Sequence, residues 1–84
     1  MPTKRRDIVR KVRHFGGWED ESGGKGGHRL LKRRDPEMPA RTLTYPLQFH
    51  GTNADFPDSV VRALRRKLKL TPEHGVSDAA WQDA

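Results

Sequence analysis

Ile8, Val12 and Phe15 recur at i, i+4 and i+7, the spacing of one helix face, with Val9 beside them. The pattern predicts a short amphipathic helix over residues 5–15, with Arg10 and Arg13 turned to water. Asp7 falls in its first turn, where a carboxylate complements the helix dipole, and can pair with Lys11 four residues on. Gly16 and Gly17 stop the helix. Trp18 to Glu21 reads as a short strand with Trp18 as its core anchor. The run SGGKGG then reads as a hairpin loop, and His28 to Arg33 as a second strand. Leu30 and Leu31 are adjacent, so a regular strand cannot turn both inward; a glycine-induced bulge is one remedy.

Beyond the two prolines of RDPEMPA, Leu43, Tyr45 and Leu47 alternate with Thr42 and Thr44, which predicts a third, half-buried strand. Pro46 lacks an N–H and belongs on an edge. A longer loop, QFHGTNADF, leads to a second helix. There Asp55 is the expected cap, Pro57 and Asp58 fill the first turn, and Val61, Leu64 and Leu68 form the apolar stripe. TPEHG reads as a cap with an abortive helical turn, and the acidic tail bearing Trp81 either docks, with Trp81 as a possible interface anchor, or stays loose. The expected architecture is α+β in the order α-β-β-β-α. Both helices pack on one face of a three-stranded antiparallel sheet. It is a single domain with its core in residues 5–70 and an extension at 71–84.

Composition narrows the function classes. With 84 residues, 32% hydrophobic and 33% charged, the chain has a thin core. The absence of cysteine excludes disulfides and thiolate metal sites, and no apolar run reaches the length of a membrane span. A cytoplasmic protein without membrane contact is expected. His14, His28, His50 and His74 are scattered without ligand spacing, so neither a metal nor another cofactor is expected. The net charge of +6 is unevenly placed: residues 1–34 carry +7, residues 62–70 carry +5, and the remaining two blocks are each −3. Two basic blocks fit a polyanion-binding surface, or a solvated face that keeps a small protein in solution. RALRRKLK carries the same pair of readings. Arg65, Arg66 and Lys69 can lie along an RNA backbone, adding affinity without sequence preference, or form the wet side of an amphipathic helix.

The order of these segments, with KGGHRLLK opening the second strand, resembles HicA-type toxins, small mRNA interferases with a fold like the double-stranded-RNA-binding domain. DIVRKVRHFGGW resembles that family's first helix and Gly-Trp pair. RTLTYP resembles its third strand, FHG the His-Gly that often follows, and DSVVRALRRKLKL its basic last helix. The likeness spans residues 5–70. The family motif usually has Ser or Thr where this chain has Gly27, and often a second histidine where it has Arg29.

The resemblance implies a metal-independent endoribonuclease acting on mRNA, with His28 as the acid/base. It also implies a HicB-type antitoxin protein that covers the His28 region. Histidine suits the task because its ordinary pKa lies near neutrality. Lys25, Arg29, Lys32 and Arg33 would hold phosphates, and Gly26 and Gly27 would let the backbone approach RNA and offer N–H donors. His50 is a second acid/base candidate if its loop folds back. Two alternatives share the fold: a non-catalytic RNA-binding module, and an adaptor that docks its basic surface on protein.

Overall fold

In the computed structural model, residues 2–21, 28–48 and 54–84 are described, with the backbone alone at His28. The elements, in chain order, are β1 (Thr3–Lys4), α1 (Arg5–His14), β2 (Trp18–Asp20), β3 (His28–Arg34), β4 (Thr42–Gln48), β5 (Asp55–Phe56), α2 (Asp58–Lys67), a 3₁₀ turn (Pro72–His74) and α3 (Asp78–Asp83). The protein is α+β. Strands β2, β3 and β4 form an antiparallel sheet in that order, which makes β3 central and puts Pro46 on an edge strand.

The β3–β4 ladder runs without interruption from His28 opposite Gln48 to Arg34 opposite Thr42. No bulge intervenes within these strands. Leu31 is buried while Leu30, on the other face, is half-exposed, so the adjacent leucines are served by ordinary alternation. Leu31, Leu43 and Leu47 join Ile8, Val9 and Val12 of α1, Val61 and Leu64 of α2, and Leu68 and Leu70 in one core. Both helices therefore serve one face of the sheet.

Helix ends are closed by backbone geometry. At α1, the Gly17 N–H donates to Val12 O and that of Gly16 to Arg13 O, with Gly16 at φ +86°. At α2 the same motif appears: the Leu70 N–H donates to Arg65 O and that of Lys69 to Arg66 O. Here the left-handed position is held by Lys69, at φ +56°, where glycine is the usual occupant. Gly17 is needed for a different reason, since a Cβ there would lie 2.7 Å from the Lys32 carbonyl oxygen and 2.5 Å from Val12 Cγ1.

Several expectations are corrected. Asp55 does not cap α2. It lies in β5, opposite Lys4 of β1, and its carboxylate meets the Lys4 ammonium at 3.5 Å; Pro57 occupies the N-cap instead. Asp7 pairs with Arg10 rather than Lys11. Lys11 is buried, and its ammonium donates to the carbonyls of Trp81, Gln82 and Ala84 at 2.8, 3.0 and 3.2 Å. It thereby satisfies the open carbonyl end of α3. Burial, with Arg10 nearby, lowers the Lys11 pKa despite the opposing acids Asp7 and Asp83.

Residues 71–84 are docked. Val76 and Trp81 belong to the core, and Ser77 Oγ accepts the Ala80 N–H to cap α3. Trp81 is a core residue in this chain, not an exposed anchor. Its ring stacks on Phe15 at 6.3 Å between centroids, with Arg65 over it at 5.3 Å.

Arg5 is the other buried cation. It ion-pairs with Glu19, and its Nε donates to Gln48 O at 3.3 Å. The start of α1 is thus tied to both edge strands of the sheet. Among the described residues, no helix is long and apolar enough to cross a membrane.

Candidate nucleic-acid interface

His28 opens the central strand, and its backbone pairs with Gln48 of β4. Odd-numbered positions of β3 and β4 face the helices, as buried Leu31, Leu43 and Leu47 mark. The two-residue alternation therefore groups position 28 with 30, 32 and 34 on the face turned away from the helices. Lys25, Gly26, Gly27 and His50 lie outside the described residues.

Trp18, expected in the core, stands on that outer face and is 38% exposed. Strand β2 has only three residues, and its inward position belongs to Glu19, which meets buried Arg5. Trp18 stands opposite Lys32 in the ladder. The Lys32 ammonium in turn meets the Asp20 carboxylate at 2.8 Å, each side chain 25% exposed. An indole and a cation thus share the face to which position 28 belongs.

The other expected cations have different employment. Arg29 Nη1 reaches Glu21 at 3.2 Å across the β2–β3 hairpin. The Arg33 guanidinium points inward: Nε donates to Phe15 O at 3.2 Å, and Nη1 donates to Leu68 O and Lys69 O at 3.0 and 3.1 Å. It fastens the C-terminal ends of both long helices to the central strand. Burial lowers its pKa from the ordinary arginine value, with Asp35 opposing. Arg65 donates to Leu70 O at 2.9 Å and pairs with Asp78 at 2.8 Å. Lys69 pairs with Asp35 and Glu37 at 2.9 and 3.3 Å.

Asp35 itself is 1% exposed. Its hydrogen bond from Lys69, then the Glu37 N–H at 2.8 Å, hold its pKa below the usual carboxylate range although burial pushes the other way. The same hydrogen bond, more than burial opposes it, raises Lys69. Of the expected α2 residues, Arg66 is the exposed one. Lys32 and the α2 group consequently sit on opposite sides of the sheet.

A further cationic feature lies outside the expected site. Arg6, Arg10 and Arg13 repeat at i, i+4 and i+7 and are all exposed along α1. With Arg5, Arg29, Glu19 and Glu21 they line a cleft of about 410 Å³ that has Val9 in its wall. Its signal in the sequence is the polar counterpart of the Ile8, Val12, Phe15 stripe. No family model matches the chain, and a search of curated proteins finds no significant match.

Proposed function

We propose that this chain is a HicA-like toxin of a toxin–antitoxin pair, an endoribonuclease that cuts mRNA in the cytoplasm with His28 as acid/base and no metal. The observation that carries the reading is the place of His28. It opens the central strand of a three-stranded antiparallel sheet, directly after the glycine-rich sequence SGGKGG, within an α-β-β-β-α order. That is where the family resemblance puts its motif histidine. Exposed Trp18, with half-buried Lys32 opposite it and paired to Asp20, supports the reading, since a base can stack on an indole beside a cation.

The chemistry asks little of the protein. The substrate's 2′-hydroxyl attacks the adjacent phosphorus, and its proton passes to a base. The bond from phosphorus to the 5′-oxygen breaks, and that oxygen takes a proton from an acid. A 2′,3′-cyclic phosphate and a 5′-hydroxyl result. Because the nucleophile belongs to the substrate, the protein contributes position, proton transfer and charge. His28 fills one proton-transfer role and His50 is the candidate for the other. A HicB-type antitoxin over the His28 region would restrain the activity.

A second reading is a non-catalytic RNA-binding module. Gly27 and Arg29, in place of the motif's usual hydroxyl residue and second histidine, favour it. Expression of the wild type and of His28→Ala separates the two. Growth arrest and mRNA loss with the wild type alone support the nuclease. Equal toxicity of both, or tight salt-dependent RNA binding with no cleavage by either, refutes it.

A further inference from the structure

We infer that the arginine stripe of α1 and its cleft form the docking track for the RNA phosphodiester backbone. This inference rests on the RNA reading above and assigns the affinity surface to α1, not to α2. Arg6, Arg10 and Arg13 span about 10 Å of helix on one exposed face. They border a cleft of about 410 Å³ in which five arginines stand against two glutamates. Arg5 and Glu19 are buried and neutralise one another, so they set the charge of the site little. What remains is Arg6, Arg10, Arg13 and Arg29 around Glu21, with Asp7 engaging Arg10.

The cations that border it are all arginine, whose planar fork matches phosphate oxygens two at a time. Arg29, the residue after His28 in β3, also lines the cleft. The cleft therefore approaches the end of β3 that begins with His28, from the helix side of the sheet. The larger concavity, about 900 Å³ between α1 and α2, mixes its cations with Asp7, Asp55, Asp58 and Asp78 and selects less strongly for a polyanion. On α2, Arg65 is engaged with Asp78, and Lys69 beyond its end with Asp35 and Glu37.

The test uses the full chain carrying His28→Ala, so that the RNA is not consumed. Anisotropy of a labelled single-stranded RNA oligonucleotide is followed against salt. Two triple variants are compared: Arg6→Gln/Arg10→Gln/Arg13→Gln on α1, and Arg62→Gln/Arg66→Gln/Lys67→Gln on α2. Circular dichroism verifies that each is folded. Each phosphate of a single strand that is no longer neutralised lowers the log–log salt slope by roughly 0.7, so the α1 variant's slope falls by about 2. A fourfold rise in salt then costs it about twentyfold less affinity than it costs the parent. The α2 variant keeps most of the slope.

An α1 variant with the parent's slope and affinity overturns the inference, as it would if the stripe serves an acidic protein instead. So does an α2 variant whose slope falls as much. A parent chain that binds no RNA at low salt removes the RNA reading itself.

Discussion

Replacing Arg33 with alanine separates fold from recognition at a residue that lies within a basic run. Its guanidinium makes three hydrogen bonds of 3.0–3.2 Å to carbonyls at the ends of α1 and α2. A hydrogen bond involving a charged group contributes about 1.5–3 kcal/mol. The three here share one donor group, so their contributions overlap. The expected loss is therefore about 3 kcal/mol, not the full sum. For a domain of this size that lowers the melting temperature by about 12–24 °C. Thermal unfolding followed by circular dichroism measures it. Arg66→Ala, at an exposed site, serves as the control and stays within about 0.5 kcal/mol of the parent. Arg33→Lys recovers only part of the loss, because an ammonium cannot fork between two helix ends. An Arg33→Ala protein that melts with the parent but binds RNA weakly refutes the structural assignment.

Asp35→Asn tests the buried ion pair through pH. A carboxylate with a depressed folded pKa contributes stability above its unfolded pKa of about 3.9 and loses it as pH falls through the folded value. Lys69, raised, contributes below about 10.4 and loses that contribution as pH rises through its folded pKa. The variant's urea midpoint is thus well below the parent's at pH 7, and the gap closes in strong acid; a gap independent of pH contradicts the assignment. Trp81→Ala removes the ring between Phe15 and Arg65 and costs about 3–5 kcal/mol, read from the urea midpoint, with faster proteolysis of residues 71–84. An unchanged midpoint excludes docking of the tail. Gly17→Ala, which drives a Cβ against the Lys32 carbonyl, destabilises more than Gly16→Ala, whose Cβ meets open space and bears only the strain of the left-handed φ. The reverse order in melting temperature contradicts the geometry.

The sheet and both long helices were legible because their signals are local and periodic. Leu43, Tyr45 and Leu47 alternate, and Val61, Leu64 and Leu68 repeat at helical spacing, whatever lies around them. The features that escaped depend on partners distant in the chain. β1 and β5 have two residues each, too few for a pattern, and pair across about 50 residues of chain, Thr3 with Phe56 and Lys4 with Asp55. Lys11 had Asp7 at ideal helix spacing, yet its ammonium goes to carbonyls about 70 residues later, where α3 leaves an open end. Trp18 and Trp81 exchange their expected places for a related reason. A three-residue strand allows one inward position, taken by Glu19, and a six-residue α3 is too short to advertise its buried side. For the candidate site, the position of His28 was readable from strand order, but the engagement of Arg33, Arg65 and Lys69 in structural roles was not. Each is held by groups from another segment of the chain.

The most direct test of the account is single-turnover cleavage of an RNA oligonucleotide by the wild type and by His28→Ala, matched for folding. The account predicts cleavage leaving a 2′,3′-cyclic phosphate, a rate about 10²–10⁴-fold lower without His28, and no cut where the attacking nucleotide is 2′-deoxy. His28→Ala cutting at the wild-type rate would contradict it.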